Sequence, residues 1–113
     1  MNSHPRHALD DLLIHPVRLS IMAALATVER ADFAAIRDIV EITDPALSKQ
    51  IALLEAGGYL DIGKARVARR VRTWLSLTPP GRDAYARHIQ ALQAIANPAS
   101  GKAAGPLPLR RRL

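Results

Sequence analysis

Through its first half the chain places apolar residues at helical spacing. ALDDLLI (8–14) predicts a short helix, which Pro16 interrupts because proline cannot donate a helix hydrogen bond and restrains its predecessor. A second helix is predicted from about Val17 to Val28, with Leu19, Ile21, Met22, Leu25 and Val28 apolar. Asp32 reads as the N-cap of a third, whose stripe is Phe33, Ile36, Ile39 and Val40. Thr43-Asp44-Pro45 starts a fourth: Asp44 can cap free amides, and Pro45 suits the first turn. Leu47, Ile51 and Leu54 share its buried face, and Gly57-Gly58 stops it. Very few residues separate helices three and four, a helix–turn–helix spacing.

The period then changes from helical to alternating. Tyr59 to Ile62 and Val71 to Leu77 read as two strands, with a basic hairpin tip between them. Thr73, Leu75 and Leu77 share one face; Arg72, Trp74 and Ser76 share the other. Half-burial is the simplest role for Trp74, with a partner helix or an effector as the alternative. Thr78-Pro79 opens a last helix to about Asn97, stopped by Pro98 and lined by Tyr85, His88, Ile89, Leu92, Ile95 and Ala96. The fold class expected is α+β, mainly α: a winged helix–turn–helix with a two-stranded basic wing and a long C-terminal helix. Residues 1–7 are expected to be a flexible N-terminus. Residues 8–97 form the folded domain, and 98–113, rich in Pro, Gly and Ala, a disordered basic tail.

Charge sharpens this picture. The 113 residues carry a net +6, which suggests an anionic partner. The charge is segregated. Residues 29–44 hold five acids and two arginines, whereas 62–78 hold Lys64, Arg66, Arg69, Arg70 and Arg72 and no acid. A groove of duplex DNA admits a helix, and arginine and lysine on a facing hairpin suit phosphates. A basic run is more often a solvated surface, but a run beside a helix–turn–helix favours phosphate contact. The tail arginines Arg110, Arg111 and Arg112 either add nonspecific affinity or are inert.

Other chemistry is not favoured. With no cysteine there is no disulfide framework, thiolate zinc site or thiol switch. His4, His7, His15 and His88 are not joined by carboxylates at ligand spacing, so no metal is expected, and His15 reads as structural. Asp10, Asp11, Asp38 and Glu41 read as solvating charges, with no nucleophile–base pair or phosphate loop, so neither an enzyme nor a cofactor is expected. No apolar run is long enough to span a bilayer, and Met1 to His7 is polar with no signal-like apolar run after it, so no membrane is expected as a partner.

Three stretches carry a family resemblance. His15-Pro16-Val17-Arg18-Leu19 with Ile21 resembles the opening helix of ArsR-like and MarR-like bacterial regulators. TDPALSKQIALLEAGGYL (43–60) resembles their recognition helix and its exit. LTPPGR (77–82) resembles the MarR-like junction of wing and last helix. Within that superfamily the chain is most similar to the small winged helix DNA-binding domain subgroup, over about residues 10–92.

The resemblance implies a homodimeric, cytoplasmic transcription factor, on the nucleoid when bound, acting as a repressor on a near-palindromic operator of double-stranded DNA. By position it assigns Ser48, Lys49 and Gln50 to base reading, with Pro45 and Ala46 at the helix start. It assigns Arg69, Arg70, Arg72 and Thr73 to the wing, beside Lys64 and Arg66. Dimer contacts are implied for the terminal helices: Leu9, Leu12 and Leu13, with Tyr85, His88, Ile89, Leu92 and Ile95. The wing departs from the family pattern in lacking glycine at its all-basic tip, VARRVR, although Gly63 lies nearby. On a helical wheel with Leu47 at zero, Lys49 falls at about 200°, away from the core. Gln50 falls at about 300°, where local packing competes with a base contact. No residue names an effector. The alternative function is a winged-helix protein-interaction module for an anionic partner.

Overall fold

A computed structural model of the chain describes residues 3–98. Its elements are α1 (Pro16–Ala26), β1 (Ala31–Asp32), α2 (Phe33–Val40), α3 (Asp44–Ala56), β2 (Leu60–Val67), β3 (Arg70–Leu77) and α4 (Pro79–Ala96). The mainly helical winged helix–turn–helix expected from the pattern is the fold observed. The sheet is antiparallel in the order β1-β3-β2, so the expected two-stranded wing has a third, two-residue strand against β3. No helix among the described residues is long and apolar enough to cross a membrane.

Several helix ends follow from capping chemistry. His15 Nδ1 accepts from the Val17 amide and caps α1, with Pro16 in the first turn. Asp32 Oδ1 accepts from the Ala34 amide at 2.8 Å and caps α2. The cap of α3 is Thr43, not Asp44: the Thr43 hydroxyl accepts from Ala46, and Asp44 is already helical. At the other end of α3, Gly58 takes φ 83°, the left-handed conformation that glycine adopts without steric cost. The Tyr59 amide then reaches back to Leu54 O and the Gly58 amide to Glu55 O, which closes the helix and turns the chain into β2.

The core gathers one stripe from each element: Ile21, Met22 and Leu25 of α1, Ile36 of α2, Leu47, Ile51 and Leu54 of α3. Leu60 of β2, Leu75 and Leu77 of β3 and Ala84 of α4 complete it with Leu13. Each fully buried Leu or Ile contributes about 1.5–3 kcal/mol relative to exposure. Val28 and Ile39, both expected in stripes, are exposed.

The N-terminal segment departs most from expectation. Residues 8–14 form no α-helix. Pro5–Ala8 makes a single 3-10 turn against α4, and an Asp10-centred turn follows. Asp10 is not a solvating charge. Its amide donates to His88 Nδ1 at 3.0 Å, its Oδ1 accepts from the Leu12 amide, and its Oδ2 accepts from the Tyr59 hydroxyl. The Asp10 side chain thereby takes the Leu12 amide, which a helix beginning at Ala8 would bond to the Ala8 carbonyl. Leu13 and His88, expected at a dimer interface, are fully buried inside the protomer and have no surface to offer a second chain. The basic tail lies outside the described residues.

Candidate nucleic-acid interface

The interface is built from α3 and the β2–β3 hairpin. Burial of Leu47, Ile51 and Leu54 turns the opposite side of α3 outward, so Ser48 and Lys49 are exposed. Pro45 is exposed and Ala46 half-buried at the helix start. Gln50 is half-buried, and its Oε1 accepts from Arg18 Nη1 at 2.9 Å. Arginine has no acceptor to offer, so the amide oxygen must face α1. Arg18 Nε also donates to Leu12 O, which ties the N-terminal segment to α3. Gln50 therefore braces α3 against α1 through its amide oxygen.

The strands run longer than the alternation predicts. They continue through the basic segment to a turn at Ala68-Arg69, with Lys64 opposite Thr73 and Ala65 opposite Arg72. Pairing divides the cations between two faces, because successive side chains of a strand alternate. Lys64 and Arg66 share the face of Thr73. Arg70 and Arg72 share the face of Trp74. Between α3 and the hairpin lies a cleft of about 430 Å³, lined by Phe33, Asp44, Ser48, Ile51, Ile62, Lys64 and Thr73. The structure thus brings Ser48, Lys64 and Thr73 to one cleft, with Arg66 on the same face of the hairpin.

Lys49, Lys64, Arg66, Arg69 and Arg70 make no ion pair with a carboxylate of the described residues. All five are exposed. Arg72 differs, because its Nη1 pairs with Asp32 Oδ2. Trp74 is half-buried beneath the Arg30 guanidinium, 4.7 Å from the ring centroid.

Sequence reasoning missed Arg37. Its Nε pairs with Asp38 at 2.9 Å and its Nη1 with Asp44 at 3.0 Å. The hydrogen bonds to Asp38 and Asp44 hold its proton more firmly than usual. One positive charge is thereby set between two acids beside the start of α3, which offsets part of their repulsion of a phosphate. The signal was weak, since Arg37 and Asp44 lie on different helices across the turn. The sequence likewise gives Arg18 no role beyond its place in the opening-helix motif, whereas the structure bonds it to Leu12 and Gln50.

Three of the four histidines have local tasks: His4 accepts from Arg6, His15 caps α1 and His88 holds Asp10. No group of three or more His, Asp or Glu suited to a metal occurs among the described residues.

A short helix–turn–helix, flanked by a two-stranded wing with unpaired cations on it, defines a winged helix protein of the DNA-binding, transcription-regulating class. The chain belongs to the winged helix DNA-binding domain family, whose model matches residues 17–96. An uncharacterized protein of Methanocaldococcus jannaschii is 30% identical over 73 residues, covering 65% of this chain and 79% of that protein. A transcriptional regulator homologue from Pyrococcus horikoshii is 28% identical with a TM-score of 0.76, covering 84% of this chain and 95% of that one. BpsR of Bordetella bronchiseptica shares the fold at 18% identity and TM-score 0.66, over 91% of this chain and 75% of its own.

Proposed function

We propose that the chain is a sequence-specific regulator of transcription that binds double-stranded DNA as a homodimer and acts as a repressor on a near-palindromic operator. The observation that carries this reading is the set of unpaired cations on the hairpin beside the exposed Ser48 and Lys49 of α3. Ser48, Lys49 and the helix start at Pro45 and Ala46 meet base edges in the major groove. Lys64, Arg66, Arg69 and Arg70 meet phosphates or the minor groove. In a dimer the two recognition helices lie about 34 Å apart, one helical turn of DNA.

A dimer needs an apolar face the protomer does not use. The C-terminal half of α4 runs past the core and leaves Leu92 and Ile95 more than a third exposed, with Ile89 half-buried beside them. Leu9 is half-buried near the same helix. This strip is the dimer face in our reading, whereas Leu12 and Tyr85 pack mainly against the core.

Selection from random duplexes at near-physiological salt tests the proposal. An enriched inverted repeat with half-sites about 10 base pairs apart is expected. If a dimer neutralises roughly 6–10 phosphates, log affinity falls against log salt with a slope of about −5 to −9. Lys49→Ala lowers the preference for the selected site about tenfold, and Arg70→Ala weakens all duplexes alike. No enriched sequence, with binding lost on a modest rise in salt, would leave only a basic surface and favour the protein-interaction alternative.

A further inference from the structure

Beyond Gly63 and Trp74 the hairpin has no third strand. β1 ends at Asp32, opposite Trp74, so β3 from Arg70 to Thr73 has no ladder neighbour on that edge. A cleft of about 380 Å³ opens there, between the start of α2 and β3. The outer hairpin is thus a two-stranded ribbon, a form that is marginal in water when nothing supports it. Among the described residues, one side-chain hydrogen bond or ion pair involves any residue from 64 to 73, that of Arg72 with Asp32. Asp32 uses its other oxygen to cap α2. One carboxylate therefore touches both the first helix of the helix–turn–helix and the second strand of the wing. The Arg30–Trp74 stack braces the same face at the base of the ribbon.

We propose that Asp32 and Arg72 form a clasp that sets the angle between the wing and the recognition helix. Arg72 is then a positioning residue, not one of the phosphate contacts. The inference rests on the DNA-binding reading above and gives Arg72 a part that this reading does not assign. Both partners are partly exposed, so the pair contributes little to folding. Its effect is on binding, because a wing already held beside α3 loses less freedom when it meets DNA.

Asp32→Asn isolates the clasp. Asparagine caps a helix as well as aspartate does, so α2 keeps its start while the charge is lost. The expected result is a roughly three- to tenfold loss of duplex affinity with the salt slope unchanged. Arg72→Gln should give the same loss, and the double variant no more than either single one. Arg70→Gln, by contrast, flattens the slope. If Arg72 met a phosphate instead, Asp32→Asn would release it and remove a repelling charge, and affinity would rise. That rise, or a flatter slope for Arg72→Gln, overturns the proposal.

A second measurement needs no DNA. In the free protein, nitrogen-15 relaxation of amides 64–73 should show greater nanosecond mobility in Asp32→Asn than in the wild type. Unchanged relaxation overturns the clasp. Failure of the wild-type protein to bind any duplex overturns the DNA reading instead, and relaxation then decides the clasp alone.

Discussion

Gly81 shows how a single side chain is excluded. A Cβ at that position would meet the Tyr59 carbonyl oxygen at 2.1 Å and its carbon at 2.9 Å. Backbone cannot move aside as a flexible side chain can, so the first turn of α4 approaches Tyr59, the residue before β2, only through glycine. Gly81→Ala is expected to cost about 3 kcal/mol, read as a lower midpoint in urea unfolding. At Gly57 the nearest atom is the end of the Leu12 side chain, so alanine there should cost less. Tyr59 supplies a second test. Its hydroxyl donates to Asp10, and that bond, with burial, raises the phenol above its usual range. A raised acid favours the protonated form in the folded state. The stabilisation is therefore complete below about pH 10, the unfolded value, and is lost as pH rises through the folded one. Tyr59→Phe should cost about 1 kcal/mol at neutral pH, and the gap to wild type should close in alkaline denaturation curves. A gap that widened with pH would contradict this account.

At the scale of elements, the wing turn carries a local conflict. Ala68 adopts φ 56°, a left-handed conformation that costs a residue with a Cβ about 1 kcal/mol or more. The sequence shows no glycine in VARRVR, and the backbone places its strain within that stretch. Ala68→Gly is expected to raise the thermal midpoint by a few degrees, less what glycine gains in the unfolded chain. Differential scanning calorimetry reads this directly, and a lower midpoint would mean that the turn relaxes in solution. The hairpin also divides its five basic residues. Period-two geometry sends Lys64 and Arg66 to the α3 side and Arg70 and Arg72 to the other.

At the scale of the whole molecule, the question is what covers α4. Gly81, Ala84, His88 and Ala91 are buried against the protomer, while Leu92 and Ile95 emerge beyond it. If that strip holds two copies together, Leu92→Glu with Ile95→Glu should produce a monomer that keeps its helical circular dichroism. Sedimentation velocity reads the mass. Affinity for the two-site operator should fall at least tenfold, because each half then binds alone. A wild-type protein that is already monomeric would refute the assignment of the strip.

Much of this architecture was legible beforehand, for local reasons. The start of α2 at Asp32, the stop of α3 at Gly57-Gly58, the stripe of Leu47, Ile51 and Leu54, and the change of period after Tyr59 each depend on neighbours in the chain. Capping, glycine conformation and side-chain period act over a few residues, so the sequence alone determined the order of elements from α1 onward, apart from the two-residue β1, and which side of α3 faces outward. Bonds between distant residues were not legible. Asp10 meets Tyr59 and His88, Arg18 meets Gln50, Arg37 meets Asp44, and Arg72 meets Asp32. Each is a choice among many polar groups that only packing brings within reach. The tertiary structure therefore decided which charges are spent inside the protomer and which remain free to meet a partner, because a hydrogen bond is specified by distance in space and not by spacing along the chain.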